Sequence, residues 1–201
     1  MSSDIVRDGY NRAAERYARQ RDQFNSLPYL ERLVARLRSG ATVLDIGCGA
    51  GMPVDRYLVN QGCRVLGVDL SEKQIELARA NVPEAAYAVR DMTALAAGEY
   101  TVDAVVSFYA VFHTPREGHA ALFRMFRGFL PEGGLLLVTM GASDWEGTEE
   151  DFHGARMYWS HYGSETNRRL IEVAGFTILL DEIDGSGGER HQVVLAERRA
   201  D

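Results

Sequence analysis

Cysteine is scarce: Cys48 and Cys63 are the only two in 201 residues. They follow two different expected elements, and they suggest neither a disulfide framework nor a thiolate metal site. Long apolar runs are missing as well. The longest, around Leu135 to Val138, falls far short of the ~18 residues of a membrane span. Clustered basic residues are absent too, since Arg168-Arg169 and Arg198-Arg199 are isolated pairs. With 22 basic against 29 acidic residues the net charge is −7. That argues against a nucleic-acid partner, because phosphate contacts need clustered Lys and Arg. Asp4, Arg7 and Asp8 are not what a secretory signal carries at its start. No His/Asp/Glu spacing specifies a metal site, so no metal is expected. The expectation is a cytoplasmic protein with no membrane partner, a monomer or a homodimer.

Glycine and acid placement is what stands out. Val43-Leu44-Asp45-Ile46-Gly47-Cys48-Gly49-Ala50-Gly51 is a short apolar strand that carries an acid and runs into three alternating glycines. A second strand, Arg64-Val65-Leu66-Gly67-Val68-Asp69, ends in an acid 24 residues after the first. Glycines at a strand-to-helix turn let backbone N–H groups approach a ligand with no Cβ in the way. Asp69 stands where a carboxylate can take two ribose hydroxyls. This combination points to a nucleoside-bearing cofactor at the carboxyl ends of a parallel sheet. The dinucleotide fingerprint G-x-G-x-x-G, made for a pyrophosphate, is not met. Position 52 is Met, and Asp45 would repel an anion but suit a positively charged group.

The pattern D-x-G-x-G-x-G followed by V-D-L-S resembles the class I S-adenosylmethionine-dependent methyltransferases, over about residues 10–197. Their cofactor carries an ammonium and a sulfonium and no phosphate. The resemblance implies roles for particular residues. Gly47 and Gly49 offer backbone to the methionine and ribose parts, Asp45 holds the ammonium, and Asp69 holds the ribose. Asp91 takes the adenine amino group, with Met92 and Leu70 on the two ring faces. Ser107 and Phe108 line the methionine arm, and Tyr17 closes over the cofactor. Tyr10, on the same helix face, reads as packing. The product would be S-adenosylhomocysteine.

Periodicity organises the chain as one domain, 1–201, with a helical cap at 1–40 and a lid insertion at 141–163. Val6, Tyr10, Ala13 and Tyr17 recur at helical spacing over ~4–21. A second helix starts at Ser26, which can cap it, and ends at Gly40. Strands are expected at ~42–46, ~63–68, 85–90, 102–108 and 135–140, with helices between them. Ser71-Glu72-Lys73-Gln74 and Thr114-Pro115-Arg116-Glu117 read as capping boxes. Phe176–Ile183 and His191–Glu197 form an antiparallel pair, because their connection is short. The fold class is α/β: a doubly wound, Rossmann-like sheet of seven strands, mostly parallel, with helices on both faces and an antiparallel C-terminal hairpin strand.

Residues 141–163 read as a long irregular loop, and their aromatic density argues for a packed lid at the ligand-binding edge. Tyr109, Trp145, Tyr158, Trp159 and His161 are the expected contacts to the acceptor. Methyl transfer from a sulfonium needs little beyond an in-line nucleophile. If a base is needed, His113 is the first candidate, kept neutral by the start of the following helix. His161 and His153 are weaker ones, and His119 and His191 read as surface positions. The acids Asp144, Glu146, Glu149, Glu150 and Asp151 read as a solvated face. Strand 4 ends in Ser107-Phe108-Tyr109-Ala110, not in the Asn/Asp-Pro-Pro-Tyr/Phe tetrapeptide that amide and nucleobase-amine methyltransferases use there. That points to a small-molecule acceptor methylated on oxygen, nitrogen or sulfur. Two other readings stay open. One is a non-catalytic protein that binds S-adenosylmethionine or S-adenosylhomocysteine. The other is an NAD-dependent oxidoreductase, which Asp45 and Met52 oppose.

Overall fold

The computed structural model describes residues 2–20 and 25–200; the expected end of the first helix at residue 21 lies outside them. Two helices, α1 (Ser2–Gln20) and α2 (Leu27–Val34), precede an alternation of strand and helix. It runs β1 (Thr42–Ile46), α3 (Val54–Asn60), β2 (Arg64–Asp69), α4 (Glu72–Asn81), β3 (Ala86–Val89), β4 (Ala104–Ser107), α5 (His119–Phe129) and β5 (Leu135–Gly141). The chain continues through β6 (Trp145–Phe152), β7 (Ala155–His161), α6 (Ser164–Val173), β8 (Phe176–Asp184) and β9 (His191–Arg198). Seven strands form one sheet in the order β3-β2-β1-β4-β5-β9-β8. The pairs among β1 to β5 are parallel, and β9 runs antiparallel to both β5 and β8. Strand order reverses between β1 and β4, which makes their carboxyl ends the place where open α/β sheets bind ligands.

Side-chain alternation puts a core on each face of the sheet. Leu44, Val105, Leu136 and Val138 pack with Phe123, Phe126 and Phe129 of α5. Their neighbours Val43, Ala104, Val106 and Leu137 pack on the other face with Leu30, Leu33, Val54 and Leu58 of α2 and α3. Near-continuous apolar strands are what a sheet covered on both faces requires.

Three local expectations are corrected. Ser26 is buried and makes no side-chain cap, and α2 stops at Val34 before a run of turns. The Thr114 capping box does not form. Thr114 Oγ1 donates to the Val111 carbonyl at 2.8 Å, and α5 begins only at His119. Residues 141–163 are not an irregular loop, because β6 and β7 make a two-stranded antiparallel sheet of their own. Phe152 pairs with Ala155 across a two-residue turn, His153-Gly154, whose φ angles are +51° and +85°. Two successive positive φ values suit the tight hairpin turn that matches strand twist. Buried Ala155 and Met157 alternate with exposed Arg156, a period of two that aromatic density masks.

Candidate functional site

A deep cleft opens at the carboxyl ends of β1, β2 and β4, beneath α1. Its floor is the β1–α3 turn. Gly47, Gly49 and Gly51 have φ of +81°, +54° and +74°, a region that bulky side chains rarely adopt. A Cβ on Gly49 would meet no atom of the chain nearer than Gln74 Oε1 at 3.9 Å, so it would project into the cleft. A Cβ on Gly51 would instead strike Tyr87 Oη at 2.8 Å. The first glycine leaves room for a ligand; the other is needed for packing beneath it.

Asp69 ends β2 at the lip of this turn. Oδ2 accepts from Gly49 N at 2.9 Å and Oδ1 from Ser71 N at 2.8 Å. Burial still pushes its carboxyl up, against three backbone N–H groups that pull it down. The carboxylate still has acceptor capacity left for a ligand hydroxyl. Ser71 caps α4 as expected, accepting from Gln74 N at 3.1 Å. The Gln74 side chain does not complete the capping box, because Asp69 already holds Ser71 N. Gln74 is buried, and neither its Oε1 nor its Nε2 has a partner among the described residues. It lines the cleft beside Asp45, Leu70, Asp91, Met92 and Phe108. Asp91 Oδ1 also accepts from Thr93 N and Thr93 Oγ1.

Ser107 is a correction. Its hydroxyl is buried and donates to the Ile46 carbonyl at 2.7 Å, tying β4 to β1 and not lining the cleft. Tyr109 does line it, with a left-handed φ of +58°. For a bulky residue that conformation costs on the order of 1–3 kcal/mol and is found where surroundings over-determine it. Here the Tyr109 ring is buried against His191, with centroids 4.9 Å apart.

The far end of the cleft is closed by α1 and the hairpin. Tyr10 and Tyr17 both line it. They meet edge to face at 5.2 Å, and both meet Phe152 of β6, at 5.9 and 5.8 Å. Tyr10 is more than packing. Its hydroxyl lies 2.8 Å from His113 Nε2, and His113 Nδ1 lies 2.8 Å from the Tyr158 carbonyl. A carbonyl only accepts, so Nδ1 carries the ring proton and Nε2 takes the Tyr10 hydroxyl proton. Burial pushes the imidazole down to about 4, outweighing the Tyr158 carbonyl that pulls it up. The helix start does not cause this, since α5 begins six residues later. His119 and His191 are not surface positions: both are buried. His119 Nε2 donates to the Thr114 carbonyl at 3.2 Å, and its burial lowers it to about 4.

Trp145, Trp159 and His161 line a second cleft of about 300 Å³, with Phe112, Glu149, Glu189 and His191. Phe112 and Trp159 stand between it and His113, at ring separations of 5.1 and 4.3 Å. His161 Nδ1 donates to the Ser143 carbonyl at 2.6 Å. Tyr158 turns outward and donates to Glu146 at 2.8 Å. The acids are partly paired, Glu146 with Arg116 and Glu150 with Arg156. His153 packs on Phe152 and Tyr17 at the hairpin turn.

Beneath the glycine turn lies Asp55, which the sequence patterns did not single out. It is fully buried on α3, accepts from Tyr87 Oη at 2.9 Å, and lies within hydrogen-bonding reach of Asp45. Acids at Asp45 and Asp69, an open space over Gly49 and an unengaged amide at Gln74 fit a nucleoside bearing a cationic amine. They do not fit a pyrophosphate.

The comparisons agree with this geometry. The description "Methyltransferase domain" belongs to the family profile that matches residues 43–134. An uncharacterized methyltransferase of Synechocystis is 33% identical over 177 residues, covering 83% of this chain and 79% of the relative. The malonyl-[acyl-carrier protein] O-methyltransferase of Enterobacter lignolyticus is 32% identical over 170 residues, covering 78% of this chain. The chain spans only 64% of that enzyme's length. Among solved structures, magnesium protoporphyrin IX methyltransferase of Synechocystis, with bound S-adenosylhomocysteine, has a TM-score of 0.74 at 19% identity. It covers 98% of this chain and 100% of its own, and at that identity the likeness speaks for the fold. The chain belongs to the class I S-adenosylmethionine-dependent methyltransferases. Among the described residues, no helix is long and apolar enough to cross a membrane.

Proposed function

We propose that this protein transfers a methyl group from S-adenosylmethionine to an oxygen, nitrogen or sulfur of a small-molecule acceptor, by in-line displacement. The observation that carries the reading is the double engagement of Asp69. It fixes Gly49 N and Ser71 N while facing the cleft, so a carboxylate is pre-positioned for the ribose. Asp45 would take the cofactor ammonium, Met92 and Leu70 the adenine faces, Asp91 its amino group, and Phe108 the methionine arm. Tyr17 would close over it from α1. When bound, the cofactor supplies a methyl group already activated by its sulfonium.

The chain's residues then position and exclude. Tyr109, Tyr10 and His113 border the far end of the cleft, where an acceptor would lie. Tyr10 donates its hydroxyl hydrogen bond to His113 Nε2, so the phenol oxygen is the atom that would accept a bond from an acceptor O–H or N–H. A proton leaving the acceptor would reach His113 through Tyr10. Trp159 backs the His113 ring, and Trp145 and His161 would meet the distal part of an acceptor that extends into the second cleft, while Tyr158, turned outward to Glu146, would not. The hairpin and α1 together keep water from the transfer.

The test is turnover of methyl-labelled S-adenosylmethionine with a panel of small hydroxyl, amine and thiol acceptors. Label appearing on an acceptor supports transfer. Tight cofactor binding with no label on any acceptor would favour the non-catalytic binding protein.

A further inference from the structure

One buried polar side chain of the cofactor cleft has no role in the reading above. Gln74 sits in the first turn of α4, where with Ile75 and Ala78 it makes the buried stripe of that helix, and it is 1% exposed. Neither its Oε1 nor its Nε2 has a partner among the described residues. A Gln three residues after an N-cap usually bonds back to the N-cap N–H. Here that N–H is taken, because Asp69 Oδ1 accepts from Ser71 N at 2.8 Å. A buried donor and acceptor left without partners cost stability, and such a group calls for a reason. The Gln74 side chain lines the cleft, and its Oε1 lies 3.9 Å from where a Cβ on Gly49 would stand. Asp69 reaches the same glycine, accepting from Gly49 N at 2.9 Å. The amide and the carboxylate thus border one open space.

We propose that Gln74 is a binding residue for the cofactor ribose: Asp69 accepts from one hydroxyl, and the Gln74 amide takes the other. The inference rests on the reading of Asp69 as the ribose site. A carboxylate offers roughly four acceptor sites. Three backbone N–H groups, those of Ser71, Gly49 and Leu70, already use the Asp69 carboxylate. Capacity for about one hydroxyl is left, whereas a ribose presents a pair of them. A hydroxyl both donates and accepts, and a neutral amide meets both needs: Oε1 accepts its O–H, or Nε2 donates to its oxygen. A second carboxylate in that place could only accept, and it would stand against the charge of Asp69. The cleft should therefore tell a ribonucleoside from a deoxynucleoside through Gln74.

The experiment is displacement of methyl-labelled S-adenosylmethionine from the full chain by S-adenosylhomocysteine, adenosine, 2′-deoxyadenosine and 3′-deoxyadenosine. Gln74→Met keeps the length of the side chain and removes the amide. It should bind S-adenosylhomocysteine and adenosine about tenfold more weakly than the wild type does. For one deoxynucleoside that loss should persist. For the other, which lacks the hydroxyl that Gln74 takes, it should vanish. A merely structural role would weaken all the probes alike, and that result would overturn the proposal. So would unchanged affinity for every probe, or a loss confined to S-adenosylhomocysteine, which would assign the amide to the methionine arm. If Gln74→Met does not fold, Gln74→Asn decides by the same pattern, since its amide is one methylene too short to reach. A wild type that binds adenosine and both deoxynucleosides equally, or that binds no S-adenosylhomocysteine, would instead overturn the reading of Asp69 as the ribose site.

Discussion

Tyr10 Oη and His113 Nε2 lie 2.8 Å apart, joining the first helix to the end of β4 across 103 residues of sequence. The bond does two things. It places a phenol at the far end of the cleft, and it occupies the only nitrogen of His113 with a lone pair. A base at this site works through Tyr10 or after Tyr10 has moved.

Removing either member should therefore lower turnover more than binding. Tyr10→Phe and His113→Ala are expected to reduce kcat by about 10²-fold or more for an acceptor that must lose a proton, in the range of general-base effects. Affinity for S-adenosylhomocysteine should stay within about threefold. Steady-state kinetics with matched calorimetry checks this. Unchanged kcat in both variants would remove the pair from the chemistry.

Gly49 and Gly51 of the turn should fail in different ways. Gly49→Val is expected to abolish cofactor binding while the fold survives, because its Cβ points into open cleft. Gly51→Ala should lower the melting temperature, since its Cβ strikes Tyr87 Oη at 2.8 Å at a φ of +74°. Thermal melts read beside ligand titrations separate the two. Intact binding in Gly49→Val would sink the placement of the cofactor.

Trp159 packs against His113 at a centroid distance of 4.3 Å. Trp159→Ala should lower kcat or raise the acceptor KM by loosening the wall behind the imidazole. S-Adenosylhomocysteine affinity should hold within about twofold, ~0.4 kcal/mol. Joint loss of cofactor binding and turnover would make Trp159 a general structural residue.

His113 and His119, both lowered to about 4 by burial, should stay neutral at pH values where a free imidazole charges. The sign follows from linkage. The unfolded chain binds more protons than the folded one between about 6.5 and 4, so stability from these two groups is present above 6.5 and is lost as pH falls toward 4. Imidazole NMR signals of the two residues should not titrate between pH 8 and 5. A midpoint near 6.5 for either would contradict its burial.

Much of this architecture is legible in the sequence. Apolar runs at Val43–Ile46, Val65–Val68 and Leu135–Val138, separated by helical periods, specify a parallel sheet covered on both faces. The short connection between β8 and β9 specifies their antiparallel pairing. The glycines and acids at 45–51 and 69 mark the cleft, because strand-to-helix turns with that chemistry leave a local trace. The hairpin of β6 and β7 was less legible, since it turns on His153-Gly154 rather than the usual Asn-Gly and its period of two is short. The Tyr10–His113 bond and the Asp45–Asp55 contact are tertiary. No spacing reports that a tyrosine on α1 reaches a loop after β4, or that an acid at the second position of α3 sits under the glycine turn. His119 and His191 misled for the same reason, as polar residues whose burial is set by what packs over them. Ser107 lies where a ligand contact is expected, but its hydroxyl is used by the Ile46 carbonyl.

Titration calorimetry with S-adenosylhomocysteine and NAD, run side by side on the full chain, tests the central claim most directly. One molecule of S-adenosylhomocysteine should bind per chain, Asp69→Ala should weaken it by roughly 1.5–3 kcal/mol, and NAD should give no heat of binding. Binding of NAD, or S-adenosylhomocysteine affinity unchanged in a folded Asp69→Ala protein, would contradict the assignment of this cleft.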